Sequence, residues 1–168
     1  MGYTHLTDIS KFISPFEFTK TAGTWSPTFS SNLVSDVRTA AAAAFKLIIP
    51  VSLPGSTIKL QGAKLVSIDL IYKIATKDAT AFTVTLVKTA LGANETAAAG
   101  SVIPSSLDAA HDTAAKCYAQ KDHTLKCSVT TPFFIGSDEA VFMVVEVTAA
   151  DNTVFTNFGA VANFTLRL

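Results

Sequence analysis

The chain has 168 residues, of which 49% are hydrophobic and only 15% charged, against about 25% charged in an ordinary soluble domain. Its 13 basic and 13 acidic side chains cancel, so the charge that steers proteins to nucleic acid or to an anionic membrane is missing. The mean hydropathy is positive, yet no run reaches the ~18 apolar residues of a membrane-spanning helix, so the apolar excess must be buried in strands or between chains.

Residues 1–31 carry Pro15, Pro27 and the aromatic side chains Phe12, Phe16, Phe18, Trp25 and Phe29, without a clear period. This pattern predicts an extended N-terminal arm, with residues 32–168 as a single β-sandwich domain. The alternative is a segment packed on its own domain. Aromatic side chains bury a large area each, which makes Phe12, Phe16, Phe18 and Trp25 candidate contacts with a neighbouring molecule. The opening MGYTHLTDISKF lacks a basic segment followed by an apolar one, so no secretory signal is expected.

The alanine run at 40–44 leads into FKLIIPVSL, where Phe45, Leu47, Ile49, Val51 and Leu53 alternate with other residues. Period-two alternation is the mark of a strand with one buried face, here over about 42–53. Pro50 cannot donate to a ladder, so an edge or bulge is expected there. Two more alternating runs, 63–76 and 81–89, are separated by Lys77–Thr80 and predict a hairpin. Val66, Ile68, Leu70, Tyr72 and Ile74 face inward in the first, and Phe82, Val84 and Leu86 in the second. Residues 90–113 are small and aperiodic and read as a long loop, with a short helical turn near 106–111.

A second hairpin is expected over 114–120 and 124–131, which would set Cys117 opposite Cys127. A disulfide between them is conceivable. Without a secretory signal, two reduced cysteines are the simpler expectation. Pro132 to Asp138 reads as a turn. The following AVFMVVEVT is apolar on both faces, which makes Phe142 and Val144 candidates for a subunit interface. The last stretch, VFTNFGAVANFTLRL, alternates throughout, with Val154, Phe158, Ala160, Ala162, Phe164, Leu166 and Leu168 expected on the buried side and only Thr156 polar among them. With no βαβ rhythm, the whole predicts an all-β, antiparallel jelly-roll β-sandwich of about eight strands.

Signals for chemistry are sparse. His5, His111 and His123 have no zinc-ligand spacing and are expected on the surface. His111–Asp112 could form an acid–base pair, but no nucleophile turn accompanies it. Asp78, Asp122 and Asp138 fall at predicted turns, where aspartate caps its own backbone. Lys116, Lys121 and Lys126 read as a solvated hairpin face that guards an edge against aggregation. No cofactor, metal or catalytic residue is expected.

The paired runs AKLVSIDLIYKIAT and AFTVTLVKT, the Ala/Thr-rich loops, and the ending TNFGAVANFTLRL after VTTPFFIGSDEAVFMVVEV resemble the jelly-roll structural proteins of tailed bacteriophages, above all capsid decoration (cement) proteins. The resemblance spans roughly residues 40–168. It implies a non-enzymatic virion subunit, commonly a homotrimer. Such a subunit is made in the host cytoplasm and binds the major capsid protein on the capsid exterior, with no nucleic-acid or membrane partner. A carbohydrate- or receptor-binding jelly-roll module of a phage tail or fibre is the alternative. It would need exposed aromatic platforms, and the tyrosines on predicted strands are Tyr72, expected buried, and Tyr118.

Overall fold

Alternating side chains place one face of each strand in a common core, and the chain folds as two stacked sheets. The computed structural model describes residues 6–52, 63–90, 92, 98–136 and 138–167. In chain order the elements are β1 (Leu6–Ile13), β2 (Thr19–Lys20), β3 (Trp25–Ser30), β4 (Leu33–Arg38), β5 (Ala44–Val51), β6 (Ala63–Ala75), β7 (Ala81–Ala90), β8 (Ala99–Ile103), β9 (Ser105–Leu107), the short helix α1 (Ala114–Tyr118), β10 (Asp122–Phe134), β11 (Glu139–Thr148) and β12 (Val154–Arg167).

One sheet runs β3-β4-β12-β6-β10-β9, with β1 also paired to β12; the other runs β2-β5-β11-β7-β8. The strands β4, β12, β6 and β10 of one sheet and β5, β11, β7 and β8 of the other have the order of an antiparallel jelly roll. The short strands β1, β2, β3 and β9 lengthen its edges. Leu47, Ile49, Leu70, Ile74, Met143 and Phe164 meet between the layers.

The expected hairpin of residues 63–76 and 81–89 is not one. β6 pairs with β12 and β10, whereas β7 pairs with β11 and β8. The turn between them carries the chain across the end of the sandwich, and Thr76 takes a left-handed φ of 73° there. Local alternation reports which face is buried and carries no information about the neighbouring strand. Likewise residues 114–118 are helical and not a hairpin arm: Thr113 caps them, its hydroxyl accepting from Lys116 N–H. The expected long loop contains β8 and β9.

The alternation in the last strand is broken once. Phe155 and Asn157 are buried, then Ala160, Ala162, Phe164 and Leu166. Phe158 is an extra residue between the pairs Asn157↔Tyr72 and Gly159↔Ile71. A β-bulge of this kind reverses the phase of every side chain before it. Gly159 supplies the required left-handed φ of 116°, and its N–H donates to Asn157 Oδ1 at 3.0 Å. A second irregularity in the β6–β12 ladder leaves Val66 half-buried while Leu65 and Ser67 turn inward.

The segment expected as an arm is laid along the sandwich. β1 pairs with β12 from Leu6↔Arg167 to Ile13↔Ala160, β2 pairs with β5, and β3 pairs with β4. The boundary drawn after residue 31 falls inside the β3–β4 turn. Ser31 and Asn32 there have φ of 52° and 64°, as a two-residue hairpin turn of the primed type requires. β2 pairs with β5 only at Ile48 and Leu47. Pro50 thus lies where no strand is paired on that side among the described residues.

Candidate functional site

β6 lies along β12 for nearly its whole length, from Val154↔Ala75 to Leu166↔Ala63. The opposite edge of β12 is divided. β4 takes Phe155 to Asn157 and β1 takes Ala160 to Arg167, with the bulge between them. Beyond Asp36, therefore, the β3–β4 ribbon has left β12 and projects from the sheet. Its end carries Phe29, 73% exposed, with Leu33 and Val34 also exposed. Phe12, 56% exposed, lies on β1 opposite Val161, and Phe16, also exposed, lies in the turn that leads from β1 to β2 of the other sheet. Of the seven large hydrophobic side chains exposed among the described residues, these are five.

The four aromatic side chains expected to make contacts divide evenly. Phe12 and Phe16 face solvent. Phe18 is only 4% exposed and belongs to the core. Trp25 is half-buried: it stands edge-on to Phe45 and Phe155 at centroid distances of 5.5 and 6.3 Å, and its indole N–H donates to Ala22 O. The aperiodic sequence could not separate these two pairs, because Phe12 and Trp25 lie on strands while Phe16 and Phe18 lie in the turn between β1 and β2, where no period sets the face. Phe29, Leu33 and Val34 are exposed without having been singled out in the sequence; the S-S-N turn between two β-prone runs was their only signal.

Phe142 and Val144 lie on the outer face of β11, half-buried. Their cross-strand neighbours are Pro50 and Val87 for the first, Ile48 and Thr85 for the second. The ion pair Lys46–Glu146 at 2.5 Å follows on the same face. This outer face is consequently apolar at its centre with its charges paired.

Cys117 and Cys127 are both buried free thiols. The cross-strand disulfide does not form, because Cys117 is on α1 and the strand partners of Cys127 are Ile68 and Leu107. Cys117 Sγ donates to His111 O, and burial pushes its thiol up to about 11. Burial also raises Cys127.

The histidines differ most from expectation. His5 lies outside the described residues. His111 and His123 are 4% and 3% exposed, not solvated. The partner of His111 Nδ1 is Asp108 Oδ1 at 2.7 Å, three residues back, and not Asp112, which pairs with Lys116. His111 Nε2 meets His123 Nδ1 at 3.1 Å, and His123 Nε2 donates to Ala119 O at 2.8 Å. Tyr72 stacks on His123 with centroids 4.5 Å apart and 7° between planes, and its hydroxyl donates to Cys117 O. Burial lowers the pKa of His123. Burial alone would raise Asp108, but the Lys126 N–H and His111 hold its carboxyl below the usual range.

One cleft of about 430 Å³ opens beside β8. It is lined by Phe133 and Phe134 from the end of β10, by Ser101 and Thr131, and by the ion pair Lys88–Glu139 at 2.6 Å. The hydrogen bond from Lys88 holds the Glu139 carboxyl below its ordinary range. Phe134 is 51% exposed, with Lys64 Nζ 5.0 Å from its ring centre. Sequence reading placed Phe133 and Phe134 in a turn; they continue β10 past an irregularity in its pairing with β6. Tyr72 is buried as expected, and Tyr118 is half-buried against the core.

No protein-family model and no curated protein matches the chain. Among solved structures it is similar to the xylan-binding module CBM86 from Roseburia intestinalis, at 12% identity over 94% of this chain and 96% of that one, with a TM-score of 0.33. The enzymatically active domain of tailspike protein 4 of bacteriophage CBA120 aligns at 9% identity over 94% of this chain and 19% of that one, with a TM-score of 0.33. TmCBM61, solved with β-1,4-galactotriose, aligns at 6% identity over 96% and 88%, with a TM-score of 0.35. The jelly-roll assignment itself rests on strand order and register.

Proposed function

We propose that this chain is a non-enzymatic structural subunit of a virion, a decoration protein that docks on the outer capsid shell. The observation that carries this reading is that five of the seven large hydrophobic side chains exposed among the described residues, Phe12, Phe16, Phe29, Leu33 and Val34, fall within residues 12–34. Large apolar side chains gathered in one part of a protein's surface mark a region that another protein covers. A chain with few charges and no net charge has little electrostatic barrier to such contact. Binding only the assembled shell would stabilise it by mass action. The outer face centred on Phe142 and Val144 would join copies of the subunit, in a trimer. The test is co-sedimentation of purified protein with shells of its own virus. Binding that Phe29→Ser with Leu33→Ser abolishes supports the reading; no binding at micromolar protein refutes it.

A second reading draws on the cleft. An exposed Phe134 ring beside the Lys88–Glu139 pair and two hydroxyl side chains combines a stacking platform with hydrogen-bonding groups of both signs. That combination suits a neutral polyhydroxylated ligand such as a glycan. Glycan-array binding lost in Phe134→Ala would favour this reading over shell docking.

A further inference from the structure

The hydrogen-bond chain through His111 and His123 fixes a count of protons. Its two ends are acceptors only: the Asp108 carboxylate and the Ala119 carbonyl. Between them lie four ring nitrogens and three contacts, Asp108–His111, His111–His123 and His123–Ala119. Each contact needs one hydrogen, so three are required. Two neutral imidazoles carry only two N–H groups. With two, one contact would set a nitrogen lone pair against an oxygen or another nitrogen lone pair, inside a site where both rings are nearly inaccessible to water. That is a costly arrangement for buried polar groups.

We propose that His111 and His123 hold one proton in common, balanced by Asp108, and that this proton latches residues 108–121 onto the end of the sandwich. The latch joins four parts of the chain. Asp108 accepts from Lys126 N–H on β10 through its second oxygen, at 3.0 Å. His111 O accepts from Cys117 on α1. His123 opens β10 and binds Ala119 O after the helix. Tyr72 of β6 covers the His123 ring and holds Cys117 O. Around this group, Asp108 and Asp112 of the loop, Lys116 of α1, and Lys121 and Asp122 at the start of β10 are the charges that face it. Lys116 is engaged by Asp112, and Asp122 by Lys73 of β6.

The pH dependence follows in sign. Two histidines in the unfolded chain together hold about one proton near pH 6.5, more below it and fewer above. The folded pair holds one across a wider range. Below that midpoint the unfolded chain binds more protons, so stability falls on acidification, when a second charge would be forced beside the first. Above it the folded pair binds more, so stability falls as alkali removes the shared proton. The contribution of the pair is thus greatest near pH 6.5.

The direct test is nitrogen NMR of ¹⁵N-histidine-labelled protein, with His5→Gln so that only this pair is seen. Between pH 6 and 8 the expected spectrum has three of the four ring nitrogens bearing hydrogen, with the two rings titrating as a coupled unit. Two neutral rings at pH 7, or two rings titrating independently near 6.5, would overturn the proposal. This readout uses a folded protein and needs no substitution in the latch. Amide exchange in residues 108–121 supplies a second measure. It should be slowest near pH 6.5 after correction for intrinsic rates, and at least tenfold faster two pH units either side. A corrected profile that is flat would contradict the latch.

Discussion

Gly159 is the residue on which the edge geometry turns. Its φ of 116° suits glycine, and a Cβ there would lie 2.7 Å from Ile13 O and from the ring of Phe12. Gly159→Ala should therefore cost about 1–3 kcal/mol in denaturant unfolding, the scale of a strained backbone position. An unchanged midpoint would mean that the bulge is not there. The thiols give a second residue-level expectation. Cys117 and Cys127 are buried and unpaired, so dithiothreitol should leave stability unchanged and a thiol reagent should label them only as fast as the chain opens. The raised Cys117 value, about 11, keeps that side chain protonated and slow to react at neutral pH. Legibility at this scale was mixed. Tyr72 could be placed in the core because it recurs in phase with Ile68, Leu70 and Ile74. His111 and His123 could not, because the groups that compensate their burial, Asp108, the Ala119 carbonyl and each other, are brought together by the turn and helix between them and follow no strand period.

At the scale of elements, α1 packs Cys117 and Tyr118 onto the core and is also tied by polar contacts, of which the Tyr72 hydroxyl is one. Tyr72→Phe should lower stability by about 0.5–1.5 kcal/mol, the usual contribution of one hydrogen bond, and accelerate exchange in 108–121 before the rest of the molecule. The β3–β4 ribbon should behave oppositely. Phe29→Ser with Leu33→Ser removes exposed side chains, so unfolding should shift by no more than about 0.5 kcal/mol per substitution while docking is lost. Most strand positions were legible, since period-two burial survives in β5 and β11. Pairing was not. The β6–β7 hairpin failed because a jelly roll alternates between sheets and nothing local marks such a crossing; the cysteine hairpin failed because residues 114–118 form α1. A single bulge at Phe158 was enough to invert the first half of β12.

For the whole molecule, the lowered Asp108 carboxyl gives a sign. A group depressed in the folded state contributes stability above its ordinary value of about 4, and that contribution is lost as pH falls through the folded value. Asp108→Asn should accordingly be less stable than the native chain at pH 6, with the gap closing by about pH 2. A gap that persists at low pH would assign it to packing instead. The jelly-roll architecture was legible from alternation and turns; the neighbours of each strand were not. The exposed apolar residues of 12–34 were legible only in outline, because aromatic enrichment in the first 31 residues could not separate the exposed Phe12 and Phe16 from the buried Phe18 and half-buried Trp25. The central proposal is that these exposed residues bind an assembled shell. Co-sedimentation with shells of the parent virus, for the native chain and the Phe29→Ser/Leu33→Ser variant in parallel, measures it directly. Saturable binding by the native chain and at least a tenfold weaker binding by the equally stable variant is the expected result. Equal binding by both, or by neither, would contradict it.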